Sequence, residues 1–115
     1  MGKNLGAYGE GIGKKYLLEK GYVILHSNYR TKLGELDIIA QKDNIIAFVE
    51  VKTRRNSSFG LPREAVDYRK QLTLTKIAQL YIQQKKPGNV DFRFDVIEVR
   101  WIDDKYEINH IENAF

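Results

Sequence analysis

The sequence predicts an α/β domain in which helices flank a mixed β-sheet, with the element order αβββαββ. Two observations favour this class. Apolar residues recur at helical spacing in two segments, and the other segments alternate apolar with polar residues or are rich in β-branched ones, as strands are. The chain has 115 residues, near the commonest size of a domain, so residues 1–115 are expected to form a single domain.

Residues 7–20 are predicted to form the first helix. Ile12 and Tyr16 stand at i and i+4, and Gly21 follows where a left-handed cap would need glycine. Three glycines inside this segment each cost about 1 kcal/mol relative to alanine. Either another element approaches the helix closely or the helix starts late. The three are Gly9, Gly11 and Gly13.

The second helix is predicted to begin near Pro62, which suits a first helical turn, and to end before Pro87 and Gly88. An apolar stripe of helical period marks the face that should pack on the sheet. Its members are Leu74, Ile77, Ala78 and Tyr81.

Strands are predicted over residues 22–28, 34–41, 45–52, 91–101 and 106–111. Asp43 and Asn44 are predicted to make a two-residue hairpin turn, because both residue types tolerate positive φ. Asp103 and Asp104 are predicted to turn the chain between the last two strands. Residues 28–32 are expected to turn, and residues 53–60 are expected to form a polar loop.

The turn at Asp43 and Asn44 sets a register in which Ile39 faces Phe48 and Asp37 faces Glu50. The Cβ atoms of such cross-strand neighbours lie about 4.5–5.5 Å apart, so two like charges would meet without compensation unless a cation binds them. A turn longer by an odd number of residues would place the two carboxylates on opposite faces.

The same alternation predicts one wholly apolar, core-facing side of the hairpin, formed by Leu36, Ile38, Ala40, Ala47, Val49 and Val51. The other side is predicted to be apolar near the turn, at Ile39, Ile46 and Phe48. Its far end carries only charged residues, which are Glu35, Asp37, Glu50 and Lys52.

This charged end has the parts that phosphodiester hydrolysis needs. Asp37, Glu50 and the backbone carbonyl of Val51 could bind Mg²⁺ or Mn²⁺, with water and a substrate phosphate as the remaining ligands. Lys52 points the same way as Glu50 and could contact the attacking water or the charge that develops on the phosphate. A divalent metal is therefore the expected cofactor, and no small-molecule cofactor is expected.

The composition sets the class of partner. A net charge of +4 and a pI near 9.3 favour a polyanion such as DNA, although charge alone is a weak indicator. The absence of cysteine and of any apolar run long enough for a signal peptide or a membrane span favours the cytoplasm, with no membrane partner.

Asp37 together with Glu50-Val51-Lys52 resembles the PD-(D/E)XK nuclease superfamily. With Glu10, the segment Gly34-Glu35-Leu36-Asp37, the segment 48–54 and Arg93-Phe94-Asp95-Val96, nearly the whole chain resembles the YraN family, a bacterial group similar to archaeal Holliday junction resolvases. Leu36 stands where the superfamily's name-giving proline would be. The resemblance implies a restriction-endonuclease-like core.

The resemblance also implies roles for individual residues. It makes Glu10, Asp37 and Glu50 acidic site residues, Glu10 as a further possible metal ligand, and Lys52 the catalytic lysine. The activity so implied is that of a metal-dependent DNA endonuclease, with branched DNA as a possible substrate. A homodimer would suit cuts on opposite strands.

Several residues near the charged end are candidates for contact with the DNA backbone. These are Arg54, Arg55 and Arg63, with Arg30, Lys32, Lys70 and Lys76 as weaker candidates. Gln71 is a candidate for orienting water. For all of them, an ordinary solvated surface is the competing interpretation.

Two interpretations of the whole chain stay open beside the nuclease. In one, the fold serves as a noncatalytic nucleic-acid-binding or protein-interaction domain. In the other, an RNA-binding sheet, stacked aromatic residues should stand where acids are found. At single residues, Lys52 could merely pair with Glu35. Structural roles are expected for His26 and His110, and the aromatic residues Tyr68, Tyr81 and Trp101 are expected in the core rather than as stacking platforms.

Overall fold

The computed structural model describes residues 5–55 and 66–115. Helix α1 (Leu5–Glu19) precedes strands β1 (Val23–Thr31), β2 (Gly34–Lys42) and β3 (Ile45–Arg55). Helix α2 (Tyr68–Lys85) and strands β4 (Asp91–Ile102) and β5 (Lys105–Ile111) follow. The predicted order αβββαββ is confirmed.

The five strands form one mixed sheet in the order β1-β2-β3-β4-β5. All neighbours are antiparallel except β3 and β4, which run parallel, with α2 in the connection between them. This arrangement matches a restriction-endonuclease-like core, so the predicted fold class is confirmed. In the described part of the chain, neither helix is long and apolar enough to cross a membrane.

Helix α1 covers one face of the sheet, where Leu17 packs with residues of β2, β3 and β4. A Cβ atom at Gly9 would collide with Oγ1 of Thr53, and one at Gly13 would lie 3.3 Å from Val51. Two of the three helix glycines therefore permit the close approach that the sequence required. In residues 5–55 and 66–115, nothing lies within 4 Å of a Cβ built at Gly11, so no contact in this part of the chain explains that glycine.

Helix α2 covers the other face and buries the predicted stripe of Leu74, Ile77, Ala78 and Tyr81. The predicted start at Pro62 lies outside the described residues. The described helix starts at Tyr68, and Asp67 caps it by accepting the backbone N–H of Lys70 at 2.8 Å. The expectation that Tyr68 lies in the core is wrong, because 73% of it is exposed.

Strands β1 and β3 each extend three residues beyond their predicted ends. Pairing of β1 with β2 continues to Thr31 and Gly34, so residues 28–31, expected to turn, belong to the strand. Asn28 has a φ of 54°, which is a left-handed conformation typical of turns. The strand continues through this residue, so the turn predicted from the sequence is only a local irregularity of β1. Likewise, Thr53, Arg54 and Arg55 pair with β4 and belong to β3, because a parallel neighbour extends it.

The hairpin of β2 and β3 has the predicted register, with Lys42 opposite Ile45 and Ile39 opposite Phe48. Both of its faces are buried near the turn, one under each helix. Leu36 was predicted to share a face with Ile38, and this is wrong: Leu36 packs with the cluster under α2 and Ile38 with the cluster under α1. The alternation is interrupted opposite Asn28, whose backbone is left-handed.

Candidate functional site

The predicted acidic residues lie where β2 and β3 separate. Backbone pairing between these strands ends at Ile38 and Val49, one residue short of the predicted pair of Asp37 and Glu50. Beyond that point the Asp37 carboxylate accepts the backbone N–H of Val51 at 2.8 Å. The side chain of Asp37 therefore continues the connection between the strands after the ladder has ended.

Glu50 is buried, with only 5% of its surface exposed. Burial and the neighbouring Asp37 carboxylate raise the pKa of Glu50 from 4.5 to about 7. Two cations oppose this shift. Lys70, on the first turn of α2, places its Nζ 3.3 Å from Oε2 of Glu50, and Lys52 contributes more weakly. The other oxygen, Oε1, is buried and has no hydrogen-bond partner among the described residues.

Glu10 reaches the same place from α1. Burial, the charge of Asp37 and a hydrogen bond with the Asp37 carboxyl raise the pKa of Glu10 to about 7. Such a hydrogen bond requires a proton on one of the two carboxyl groups. The structure thus brings Glu10, Asp37 and Glu50 together from three elements.

The oxygen atoms at this site are of the chemical type that binds divalent metals. Asp37 and Glu50 supply carboxylate oxygens, one of them buried and unpartnered, and β3 carries the Val51 carbonyl between Glu50 and Lys52. Among the described residues, no group of three or more Asp, Glu, His or Cys side chains is arranged to enclose a metal. Mg²⁺ takes one or two carboxylates from a protein and completes its shell with water and phosphate.

The predicted DNA-contact residues are spread over two regions. Arg30 is exposed and pairs with Glu35 at 2.7 Å, and the exposed Lys32 lies in the adjoining turn. Arg54 and Arg55 end β3, and only Arg55 is exposed. Arg63 lies outside the described residues.

Two predicted residues have partners that sequence reasoning did not expect. Lys70 was predicted to contact DNA, and its ammonium group pairs with the buried Glu50. Gln71, the candidate for orienting water, donates from Nε2 to the backbone carbonyl of Val66 at 2.9 Å, which ties the start of α2 to the preceding segment. The roles of both residues toward a substrate remain predictions.

Sequence reasoning missed a buried carboxylate beside the site. Glu98 is 1% exposed and is the register neighbour of Lys52. It accepts from Nε of Arg54 at 2.7 Å and from a terminal nitrogen of Arg100 at 3.1 Å. The alternating pattern of β4 did not indicate that Glu98 is buried, because a charged residue in an alternating strand ordinarily faces solvent.

A second buried carboxylate, Asp95, belongs to a segment that carried the family resemblance. It accepts from Nε of Arg93 at 2.8 Å, from the backbone of Asn113 at 3.2 Å, and bonds Nε2 of His110 at 2.7 Å. Burial alone would raise the pKa of Asp95, but these hydrogen bonds lower it below its ordinary value. Nδ1 of His110 bonds the hydroxyl of Tyr16 at 3.1 Å, so this histidine joins α1 to the sheet.

Comparison with known proteins supports the family named by the motifs. The sequence model of "Uncharacterised protein family UPF0102" matches residues 9–99. A UPF0102 protein of Alkaliphilus oremlandii is 54% identical over 117 residues, and one of Alkaliphilus metalliredigens is 56% identical over 115 residues. One of Syntrophomonas wolfei is 47% identical over 115 residues. Each alignment covers 100% of both chains.

The matched range includes Asp37, Glu50 and Lys52, and it begins just before Glu10. The identities hold over the full length, well beyond what a shared motif would give. The chain therefore belongs to the UPF0102 family, which is the YraN family that its motifs resemble.

Proposed function

We propose that the chain is a metal-dependent DNA endonuclease that hydrolyses phosphodiester bonds. The observation that carries the proposal is the meeting of three carboxyl groups from α1, β2 and β3, two of which have a pKa raised to about 7. Such a cluster destabilises a metal-free domain. Carboxyl groups with strongly raised pKa values are concentrated at catalytic and metal-binding sites.

Asp37, Glu50 and the Val51 carbonyl are the residues proposed to hold the metal, with Glu10 beside Asp37. Bound there, Mg²⁺ or Mn²⁺ would lower the pKa of a water molecule and stabilise charge on a phosphate. Lys52 lies in β3 two residues after Glu50, and its ammonium group would supply positive charge to the phosphate oxygens.

The DNA substrate is proposed from the basic composition and the family resemblance. Branched DNA, as for Holliday junction resolvases, and action as a homodimer are the finer forms of the proposal. Arg30, Lys32, Arg54 and Arg55 are proposed to contact the DNA backbone.

Cleavage of defined substrates tests the activity. Purified protein with Mg²⁺ or Mn²⁺ is expected to cut at least one of flap, four-way junction, nicked duplex and single-stranded DNA. Glu50→Ala and Lys52→Ala should abolish cutting, whereas Glu19→Ala, at an exposed position on α1, should not. No cutting of any substrate by wild type, or equal cutting by Glu50→Ala, would refute the proposal.

Thermal melting tests the metal site without activity. Saturating Mn²⁺ at about 100 times its dissociation constant stabilises the folded state by about 2.7 kcal/mol. The melting temperature of wild type should therefore rise, and that of Asp37→Asn should not. An equal rise in both proteins would place metal binding elsewhere.

A noncatalytic nucleic-acid-binding domain is the second candidate. It is favoured by the ion pair of Lys70 with Glu50, which partly neutralises the acidic cluster without a metal. It predicts salt-sensitive DNA binding that is unchanged by Glu50→Ala, with no turnover under any metal.

A further inference from the structure

An aromatic cluster lies on the sheet face covered by α1, at the end of β4. The rings of Tyr8 and Trp101 are stacked, with centroids 5.5 Å apart and planes 11° from parallel. Tyr106, opposite Trp101 on β5, meets it edge to face at 5.2 Å. Tyr8 is 58% exposed and Tyr106 is 42% exposed, so the cluster has an open surface.

The cluster and the acidic site share the first turns of α1. Tyr8 precedes Glu10 by two residues on α1, which corresponds to about 3 Å along a helix axis. Gly9 lies between them and packs against Thr53 of β3. The first turns of α1 therefore hold an exposed ring on one side of this contact and a site carboxyl on the other.

Positive charge stands beside the cluster. Arg55 is the register neighbour of Trp101, and neighbouring residues in parallel strands point to the same face of the sheet. Arg55 is exposed. The turn at Asp103 and Asp104 would repel phosphates, so a nucleic-acid backbone is expected on the β3 side of Trp101, where Arg55 lies.

We infer that Tyr8, supported from below by Trp101, stacks an unpaired base of the DNA substrate while Arg55 contacts an adjoining phosphate. The inference rests on the proposed nuclease function and specifies its substrate as DNA with unpaired nucleotides near the cleaved bond. Aromatic rings beside basic groups are the usual recognition surface for single strands, and stacking accepts any base. A base inside an intact duplex has no free face to offer.

The two rings are stacked before any ligand arrives, which limits the conformational entropy lost on binding. A tyrosine that only anchored α1 would use just the ring face that stacks on Trp101. Stacking of a base uses the outer face of Tyr8, which the fold leaves open. The structural and the binding roles can therefore be separated by substitution.

Binding is measured with EDTA present so that no strand is cut. The probes are a 12-nucleotide oligo-dT, an abasic strand with the same number of phosphates, and a blunt duplex of 12 base pairs. Wild type should bind oligo-dT about 5- to 150-fold more tightly than the abasic strand, the range expected for one stacked base. Tyr8→Leu should remove this difference and leave duplex binding within about twofold.

Two variants serve as controls. Tyr8→Phe keeps the aromatic face and should retain the preference for oligo-dT. Tyr68→Leu removes another exposed tyrosine, on the first turn of α2, and should bind all three probes as wild type does. Melting curves of Tyr8→Leu and Tyr8→Phe show whether both are folded.

Wild type alone provides a further measurement, because Trp101 is the single tryptophan of the chain. Its fluorescence should change on saturation with oligo-dT and stay constant with the abasic strand. Equal fluorescence changes with both strands, or equal affinity of wild type for both, would overturn the inference. If Glu50→Ala still abolishes cleavage in that case, the proposed function stands without the base-stacking site.

Discussion

Replacement of Glu50 by glutamine would measure the electrostatic free energy stored in the acidic cluster. In the metal-free protein, burial and the Asp37 charge raise the pKa of Glu50 to about 7, against an ordinary 4.5. At about 1.4 kcal/mol for each pH unit, ionised Glu50 destabilises the folded state by roughly 3 kcal/mol. Glutamine keeps the shape of the side chain and has no charge to bury.

The sign follows from proton binding. Between pH 4.5 and about 7 the folded state retains a proton on Glu50 that the unfolded chain releases. The free energy of unfolding therefore falls as the pH rises through this window and reaches its minimum contribution above pH 7. The pKa of about 7 already includes the opposing effect of Lys70. Glu50→Gln removes the loss but buries a neutral amide in place of the carboxyl group, so a net gain of about 1–3 kcal/mol is expected at pH 8.

Thermal melting with EDTA at a series of pH values is the assay. At roughly 4 °C for each kcal/mol in a domain of this size, the melting temperature of Glu50→Gln should exceed that of wild type by about 4–12 °C at pH 8. The difference should shrink toward pH 4.5. Glu19→Gln, at an exposed position, should stay within about 0.5 kcal/mol of wild type. A Glu50→Gln protein that is less stable than wild type at pH 8, or a difference independent of pH, would refute the electrostatic reasoning.

Two further predictions concern stability. Gly9→Ala should lower the free energy of unfolding by about 1–3 kcal/mol, because its methyl group would collide with Thr53, whereas Gly11→Ala should raise it by up to about 1 kcal/mol; urea denaturation of both compares them, and equal effects would contradict the close approach. Asp95→Asn should destabilise the protein by about 2–4 kcal/mol by leaving Arg93 without its buried partner. Because the pKa of Asp95 is lowered, wild type should lose this stabilisation as the pH falls below about 4, and acid titration should show a smaller loss in the variant.

The parts of the site that depend on short-range geometry could be predicted from the sequence. A two-residue turn and the alternation of a hairpin fix the register, so the positions of Ile39 and Phe48 followed directly. The four apolar residues of α2 followed from helical period. Long-range contacts were beyond this reasoning. Which helix residue meets Glu50 depends on how α2 crosses the sheet, and Lys70 was assigned to DNA because its sequence position gave no other partner.

Buried charge was the other failure of sequence reasoning. Glu98 reads as a solvent-facing residue of an alternating strand, yet Arg54 and Arg100 enclose it. Arg100 lies two residues further along β4, and Arg54 becomes a partner because β3 extends three residues past Lys52 and runs parallel to β4. The length of β3 was predicted from a polar composition that is typical of loops. The misplaced loop boundary and the missed ion pair with Arg54 therefore have one cause.

Each acid of the site is positioned by a different device. Strand register places Glu50, and the backbone N–H of Val51 fixes Asp37. Glu10 depends on how closely α1 lies against β3, which the absence of a side chain at Gly9 permits. A substitution that moves the start of α1 away from the sheet would therefore separate Glu10 from Asp37 without removing either carboxyl group. Gly9 weakens α1 as a helix, but it allows the close packing that positions Glu10.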